Sequence, residues 1–411
     1  MPRQTTRSDS SDRDEGGLAA AQPQAWPERW WASYCRFTGL VGAAGVLLVC
    51  LDAAFGLRPR AGFSGDLDAI PYYASKSWTR QFTTDQDAIA SAKVEYRPFT
   101  VWRRPPYASA TVNVDADGRR TVPGSACADG VAKVFFFGGS TMWGTNSPDD
   151  GTIPALFVEE VRSLADGRLC VTNFGESAWV STQSMIALAT AIHRGDIPDL
   201  VVFYEGANDL TWTFGNDSAY GHAELDRIAA TFNRAGRGRG QGRTRWIDAA
   251  GVVRSLAPNL FSLVDGRRQW GRGPSDRSPE GLRRLADEAM DVYFANQRIV
   301  RGMAHEYGFR CHFFWQPYLI YGRKPPATGE ARMLAAAQGW TESFRPFAAA
   351  ANDRVGQVRH TDFTDLSEVF AKTTDQLYTD MVHVTPEGNA MVARAMLEAL
   401  RTTLDAICAA R

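Results

Sequence analysis

From Val131 onward the chain repeatedly alternates short apolar runs with amphipathic stretches. This alternation constrains the fold more than any other feature. "VAKVFFF" (131–137) is almost continuously apolar, which suits a strand buried on both faces. "TIPALFVEEVRSLA" then places Ile153, Leu156, Phe157, Val161 and Leu164 on one helical face, with Thr152 as the expected N-cap. "LCVTN", "DLVVFYEG", "RCHFFWQP" and "VRHTDFTDL" supply further strands, separated by helical patterns such as "STQSMIALATAIHRG". A long helix is expected from Ser278, with Pro279 in its first turn and Gly308 as its stop. A last helix opens at Thr385-Pro386. Strands alternating with helices imply a parallel sheet covered on both faces, a three-layer α/β/α domain.

Ahead of this domain the pattern differs. Residues 1–36 are polar and poor in large apolar side chains, and are expected to be a disordered tail. Residues 37–57, "FTGLVGAAGVLLVCLDAAFGL", carry Asp52 as their one charge and match the roughly 20 apolar residues of a membrane span. A transmembrane anchor is the expected reading. A cleaved signal would have a shorter apolar core nearer the N-terminus, and a buried helix is the third alternative. Basic residues flank both ends, so orientation stays open. Residues 58–130 read as an irregular linker and β-hairpin region expected to pack on the main domain, with the hairpin at "TVNVDADGRRTV" turning at Gly118. Residues 131–411 form the main domain, interrupted at 211–277 by a glycine- and arginine-rich insertion expected to be loops.

Formal net charge is −1, so bulk charge gives no attraction to nucleic acid or anionic membranes. Arg234, Arg237, Arg239, Arg243 and Arg245 in the insertion form a local basic cluster. No aromatics interleave with them, so a solvated loop is favoured and no nucleic-acid partner is expected. The six cysteines form neither a CxxC pair nor a Cys/His cluster, so no metal site is expected.

In open parallel sheets, ligands bind beyond the carboxyl ends of the strands. Ser140 falls there after the first strand, Asn173 and Gly175 after the second, Glu205, Gly206, Asn208 and Asp209 at the end of the third, and Gln316 after the fourth. A serine hydroxyl becomes an effective nucleophile when a base takes its proton, usually a histidine oriented by a carboxylate. Of six histidines, His193, His222, His305 and His312 fall in helices, a strand or the insertion, and read as surface or packing residues. His383 differs, standing in "TDMVHVTPEGN" three residues after Asp380. D-x-x-H alone is a weak pattern, common in surface turns. Backbone N–H groups at Ser140 and Gly175 and the Asn208 amide are candidate oxyanion donors. Glu205 and Gln316 are candidate substrate-binding residues.

"FFGGSTMWG", "NFGESAW", "EGAND" and "DMVH" occur in the order of the four blocks of SGNH (GDSL-type) hydrolases, which the chain resembles from Val131 to Cys408. The resemblance implies a flavodoxin-like parallel five-stranded sheet, the SGNH hydrolase fold. It implies Ser140 as nucleophile, His383 as base, Asp380 as its orienting carboxylate, and an oxyanion hole of Ser140, Gly175 and Asn208, with no cofactor. Two positions depart from the pattern: Gly139 replaces the usual aspartate, and Ala178 stands where glycine is common. The anchor with "FGGST" and "FWQP" more loosely resembles membrane-anchored bacterial proteins acting on envelope polysaccharides. The implied function is a serine esterase removing an acyl group, an O-acetyl above all, from an acylated glycan in the periplasm. Alternatives are a polysaccharide O-acetyltransferase with the same triad and a catalytically inactive glycan-binding assembly subunit. In the flavodoxin-like order, the cysteines are expected to pair as Cys127–Cys170 and Cys311–Cys408 at the sheet's amino edge.

Overall fold

The computed structural model describes residues 28–56, 67–125, 127–165, 169–237 and 273–410. The N-terminal helix α1 (Glu28–Gly56) belongs to a compact unit separate from the one that holds the rest of the described residues. Its stretch Ser33–Leu51 is long and apolar enough to cross a membrane, a test that a signal sequence near the N-terminus also passes. Helix α1 starts earlier than the expected anchor, and residues 28–36 are helical rather than part of a disordered tail. No glycine or proline interrupts Glu28 to Thr38, and Trp30, Trp31 and Tyr34 extend the apolar character. Residues 1–27 of the expected tail lie outside the described residues.

The second unit begins with α2 (Pro71–Ala74), α3 (Thr79–Ser91) and an antiparallel pair, β1 (Glu95–Arg97) and β2 (Val101–Arg103). The segment 107–120 folds back on itself at Gly118, whose φ is +80°. There Val114 bridges both Tyr107 and Arg120, and Arg120 bridges Asn173.

An α/β domain follows. Its strands are β3 (Ala132–Gly138), β4 (Leu169–Asn173), β5 (Leu200–Glu205), β6 (Arg310–Trp315) and β7 (Phe363–Asp365). They form one five-stranded sheet in the order β4-β3-β5-β6-β7, parallel throughout. The helices are α4 (Ser140–Trp143), α5 (Ile153–Ala165), α6 (Ser181–His193), α7 (Ala207–Asn216), α8 (Leu225–Arg237), α9 (Pro279–Tyr307), α10 (Thr328–Ala336), α11 (Gln338–Val355) and α12 (Pro386–Ala409).

Side chains alternate across the sheet and divide the core. Val134, Phe136, Val171, Val202, Tyr204 and Phe314 pack against α5 and α12. Phe135, Phe137, Val201, Phe203 and Phe313 pack on the opposite face against α6 and α9. Each continuously apolar strand thereby serves two cores. Ser278 and Thr385 cap α9 and α12 by accepting from Gly281 and Gly388 amides, and each helix has proline in its first turn.

Two expectations need correction. Within the segment expected to be loops, residues 211–216 belong to α7 and 225–237 to α8. Leu210 and Phe214, four residues apart, bury one face of α7 against α9 and α11. Arg239, Arg243 and Arg245 lie outside the described residues. The second correction concerns the cysteines. Cys127 and Cys170 form a disulfide, but Cys311 and Cys408 are free thiols. The two free thiols belong to opposite faces of the sheet: Cys311 packs with the α6–α9 core, while the last turns of α12, at Ile407, pack with the other core.

Candidate active site

Strand β3 ends at Gly138, and the chain turns through Gly139 into the short helix α4, which places Ser140 beyond the carboxyl edge of the sheet. Asp380 and His383 stand in the turn before α12. The structure brings the three together. The His383 Nε2 lies 2.6 Å from Ser140 Oγ, and its Nδ1 lies 2.6 Å from Asp380 Oδ2. The other carboxylate oxygen of Asp380 accepts the Val382 and His383 amides, both at 2.8 Å. Desolvation works against the charge on Asp380. The adjacent His383, its ring hydrogen bond and the two amides outweigh that cost and hold the carboxyl below its ordinary value. An imidazole between a hydroxyl and a fixed carboxylate can accept the hydroxyl's proton as the oxygen attacks an electrophile.

Gly175 and Asn208 sit on the neighbouring loops. The Gly175 N–H donates to Asn173 Oδ1 at 2.9 Å, and the Asn208 amide donates to the Trp179 carbonyl at 2.8 Å. Close approach explains two glycines. A Cβ at Gly139 would lie 2.2 Å from Asn208 Nδ2, and one at Gly175 would lie 2.5 Å from the Trp143 nitrogen. A side chain at position 139 would require the Asn208 amide to shift. Ala178 adopts φ +63°, the left-handed conformation that glycine takes most easily.

Glu205 and Gln316 do reach the carboxyl edge, where they are 1 % and 3 % exposed. Burial, reinforced by Asp209, pushes the Glu205 carboxyl well above its ordinary value. Both side chains belong to the interior beneath the site. Among the other histidines, His312 is buried in β6 against Thr364 Oγ1, and burial pushes it down to about 4. His193, His305 and His360 are exposed, and His222 lies beside the Trp102 ring. Among the described residues no group of His, Cys, Asp and Glu side chains could hold a metal ion.

Sequence reasoning expected the segment before β3 to pack on this domain but did not identify the side chains that support the site. Arg103 donates to the Phe174 and Gly175 carbonyls at 3.1 Å each. The Arg104 amide donates to Glu176 Oε2 at 2.9 Å, and its guanidinium donates to the Ile89 carbonyl and Ser177 Oγ. Arg120, fully buried, donates to Asp149 Oδ1 and the Ser147 carbonyl, with its guanidinium over the Trp143 ring. Asn146 donates its N–H to Gln86 Oε1 at 2.8 Å and its side-chain amide to Thr379 Oγ1 at 2.7 Å, while its carbonyl accepts from Tyr73.

No family model and no curated protein matches the sequence. Similar solved structures include the lipase Lip_vut3 from a goat rumen metagenome, with 9 % identity and a TM-score of 0.37 over 66 % of this chain and 97 % of that one. The acetylxylan esterase Axe2 from Geobacillus stearothermophilus has 15 % identity and a TM-score of 0.32 over 68 % and 96 %. LAE5, an α/β hydrolase from the metagenome of Lake Arreo, has 17 % identity and a TM-score of 0.31 over 65 % and 94 %.

Proposed function

We propose that this chain is a serine ester hydrolase of the SGNH type, with the three-layer fold of that family, that removes O-acetyl groups from an envelope glycan. The observation that carries the reading is the unbroken chain of contacts from Ser140 Oγ through His383 to Asp380. Ser140 Oγ attacks the ester carbonyl while His383 Nε2 takes its proton, and Asp380 steadies the imidazolium. The tetrahedral oxyanion is held by the Ser140 and Gly175 N–H groups and the Asn208 amide, with the Gly175 N–H turning from Asn173 to the substrate. His383 then protonates the leaving sugar oxygen, which departs and leaves Ser140 acylated. Water gives a proton to His383 and attacks the acyl carbonyl; as the second tetrahedral intermediate collapses, His383 returns that proton to Ser140 Oγ, and acetate leaves.

Helix α1 serves as a single membrane anchor in this reading, with the catalytic unit outside the cytoplasm. The Cys127–Cys170 disulfide supports an oxidising compartment. The test is hydrolysis of p-nitrophenyl acetate by the wild type and by Ser140→Ala. We expect a loss of at least about 10³-fold in kcat; unchanged turnover in the variant would reject Ser140 as nucleophile. Adding a glycan acceptor and following acetylated product separates hydrolysis from transfer.

A further inference from the structure

Helix α8 (Leu225–Arg237) has two contrasting faces. At 100° per residue, Leu225, Ile228, Ala229 and Phe232 fall within one arc, Arg227 and Arg234 fall opposite, and Arg237 falls on the flank. None of those apolar residues belongs to a core cluster. Phe232 is 75 % exposed, while Leu225 and Ile228 are half-buried. The helix carries three arginines against the single Asp226. Arg227 also reaches back to Glu224, just ahead of the helix.

We propose that α8 lies in the surface of a bilayer containing anionic lipid, with Leu225, Ile228 and Phe232 at the acyl boundary. Thirteen residues are too few to span a membrane, which needs about 20. An apolar arc opposite an arginine face, with few other apolar residues, is the pattern of a helix that lies in the interface. The arginine excess complements anionic headgroups, which a neutral protein groove would not require. With α1 inserted, the bilayer is present at high effective concentration, so a modest intrinsic affinity suffices. The inference rests to that extent on α1 being an anchor.

The test uses the full chain in phosphatidylcholine vesicles with and without phosphatidylglycerol. Phe232→Cys, in a background where the four free cysteines are replaced by serine, carries an environment-sensitive fluorophore. A second protein, in which Phe232 is native and Cys50 alone of the four is kept, carries the label in α1 and reports anchor insertion independently. Doxyl-lipid quenching of the residue-232 label by at least about two-fold with phosphatidylglycerol, and none of a label at Arg227→Cys, is the expected result. Quenching at Cys50 but not at 232 overturns the α8 inference and leaves the anchor standing. Shielding of the 232 label from iodide without lipid quenching also overturns it, because a second copy or another protein surface then covers the helix. Quenching at 232 without quenching at Cys50 supports α8 and rejects the anchor. Quenching at neither position rejects both.

Discussion

The Asn146 side-chain amide lies 2.7 Å from the Thr379 hydroxyl and ties the turn after Ser140 to the turn that carries His383. Thr379 in turn donates its N–H to the His383 carbonyl at 2.9 Å. Asn146 is thus a positioning residue between the two halves of the site, and it adopts φ +65°. Asn146→Gly and Asn146→Ala both remove the bridge, but only alanine carries the cost of a left-handed residue. Both variants are expected to lose roughly 10-fold or more in kcat with little change in KM. Alanine is also expected to lose about 1 kcal/mol more stability than glycine, read from urea midpoints at unchanged m. Full activity in both variants would show that the bridge holds nothing that matters to turnover.

Gly139 offers a second test. Its missing Cβ makes room for Asn208 Nδ2. Gly139→Ala and Gly139→Asp should each displace the amide and cost roughly 10²- to 10³-fold in kcat, comparable to losing one oxyanion donor. The wild-type rate in Gly139→Asp would show that Asn208 can stand elsewhere and still work.

Glu205 bears on pH. Its folded-state carboxyl sits well above the ordinary value, so it stays protonated where the unfolded chain has ionised. A raised acid of this kind loses stability as pH rises above the unfolded value near 4.5 and continues to lose it until the folded value is reached. Glu205→Gln removes that loss. The difference in unfolding free energy between Gln and Glu forms should grow in favour of Gln from pH 5 to pH 8. A difference that is flat over this range would mean the carboxyl is ionised in the folded protein.

The cysteines give a chemical readout of the fold. Burial, with Asp362 beside it, pushes the Cys311 thiol up to about 12. At pH 8 only about one part in 10⁴ is thiolate, so Cys311 should resist iodoacetamide in the folded protein. Exposed Cys35 and Cys50 should alkylate when out of the membrane, and Cys127 and Cys170 only after reduction. Peptide mass mapping of the modified chain decides this. Replacing both disulfide cysteines by alanine should cost up to about 4 kcal/mol for the 43-residue separation.

The strands and the main helices were legible because their periodicities are local. β3 and β5 are continuously apolar, and the caps at Ser278 and Thr385 stand one residue before a proline. The SGNH-like blocks brought forward Ser140, Asp380 and His383, and the turn geometry that joins them is short-range at the Asp380–His383 end. What stayed hidden depends on which face a residue takes. A period of two decides that Cys311 points to the α6–α9 side, and the packing of α12 on the other side is a long-range fact. The burial of Glu205 stayed hidden for the same reason: its place at the sheet's edge is a matter of order along the chain, whereas its burial depends on α6 and α9 closing over it. Arg103, Arg104 and Arg120 gave no hint of burial, since arginine is rarely buried and their partners are mostly backbone carbonyls and carboxylates far along the sequence.

The hold that Tyr73, Gln86, Arg103, Arg104 and Arg120 exert on the loops around Ser140 sets a lower limit on the working fragment. Trimming the chain at Val131, where the repeating pattern begins, would strip away every one of these fasteners and leave Asn146 and the Gly175 loop without their outer bracing. The shortest competent enzyme should therefore start upstream of Leu67, and the stretch ahead of Val131 is a working part of the machine rather than a spacer.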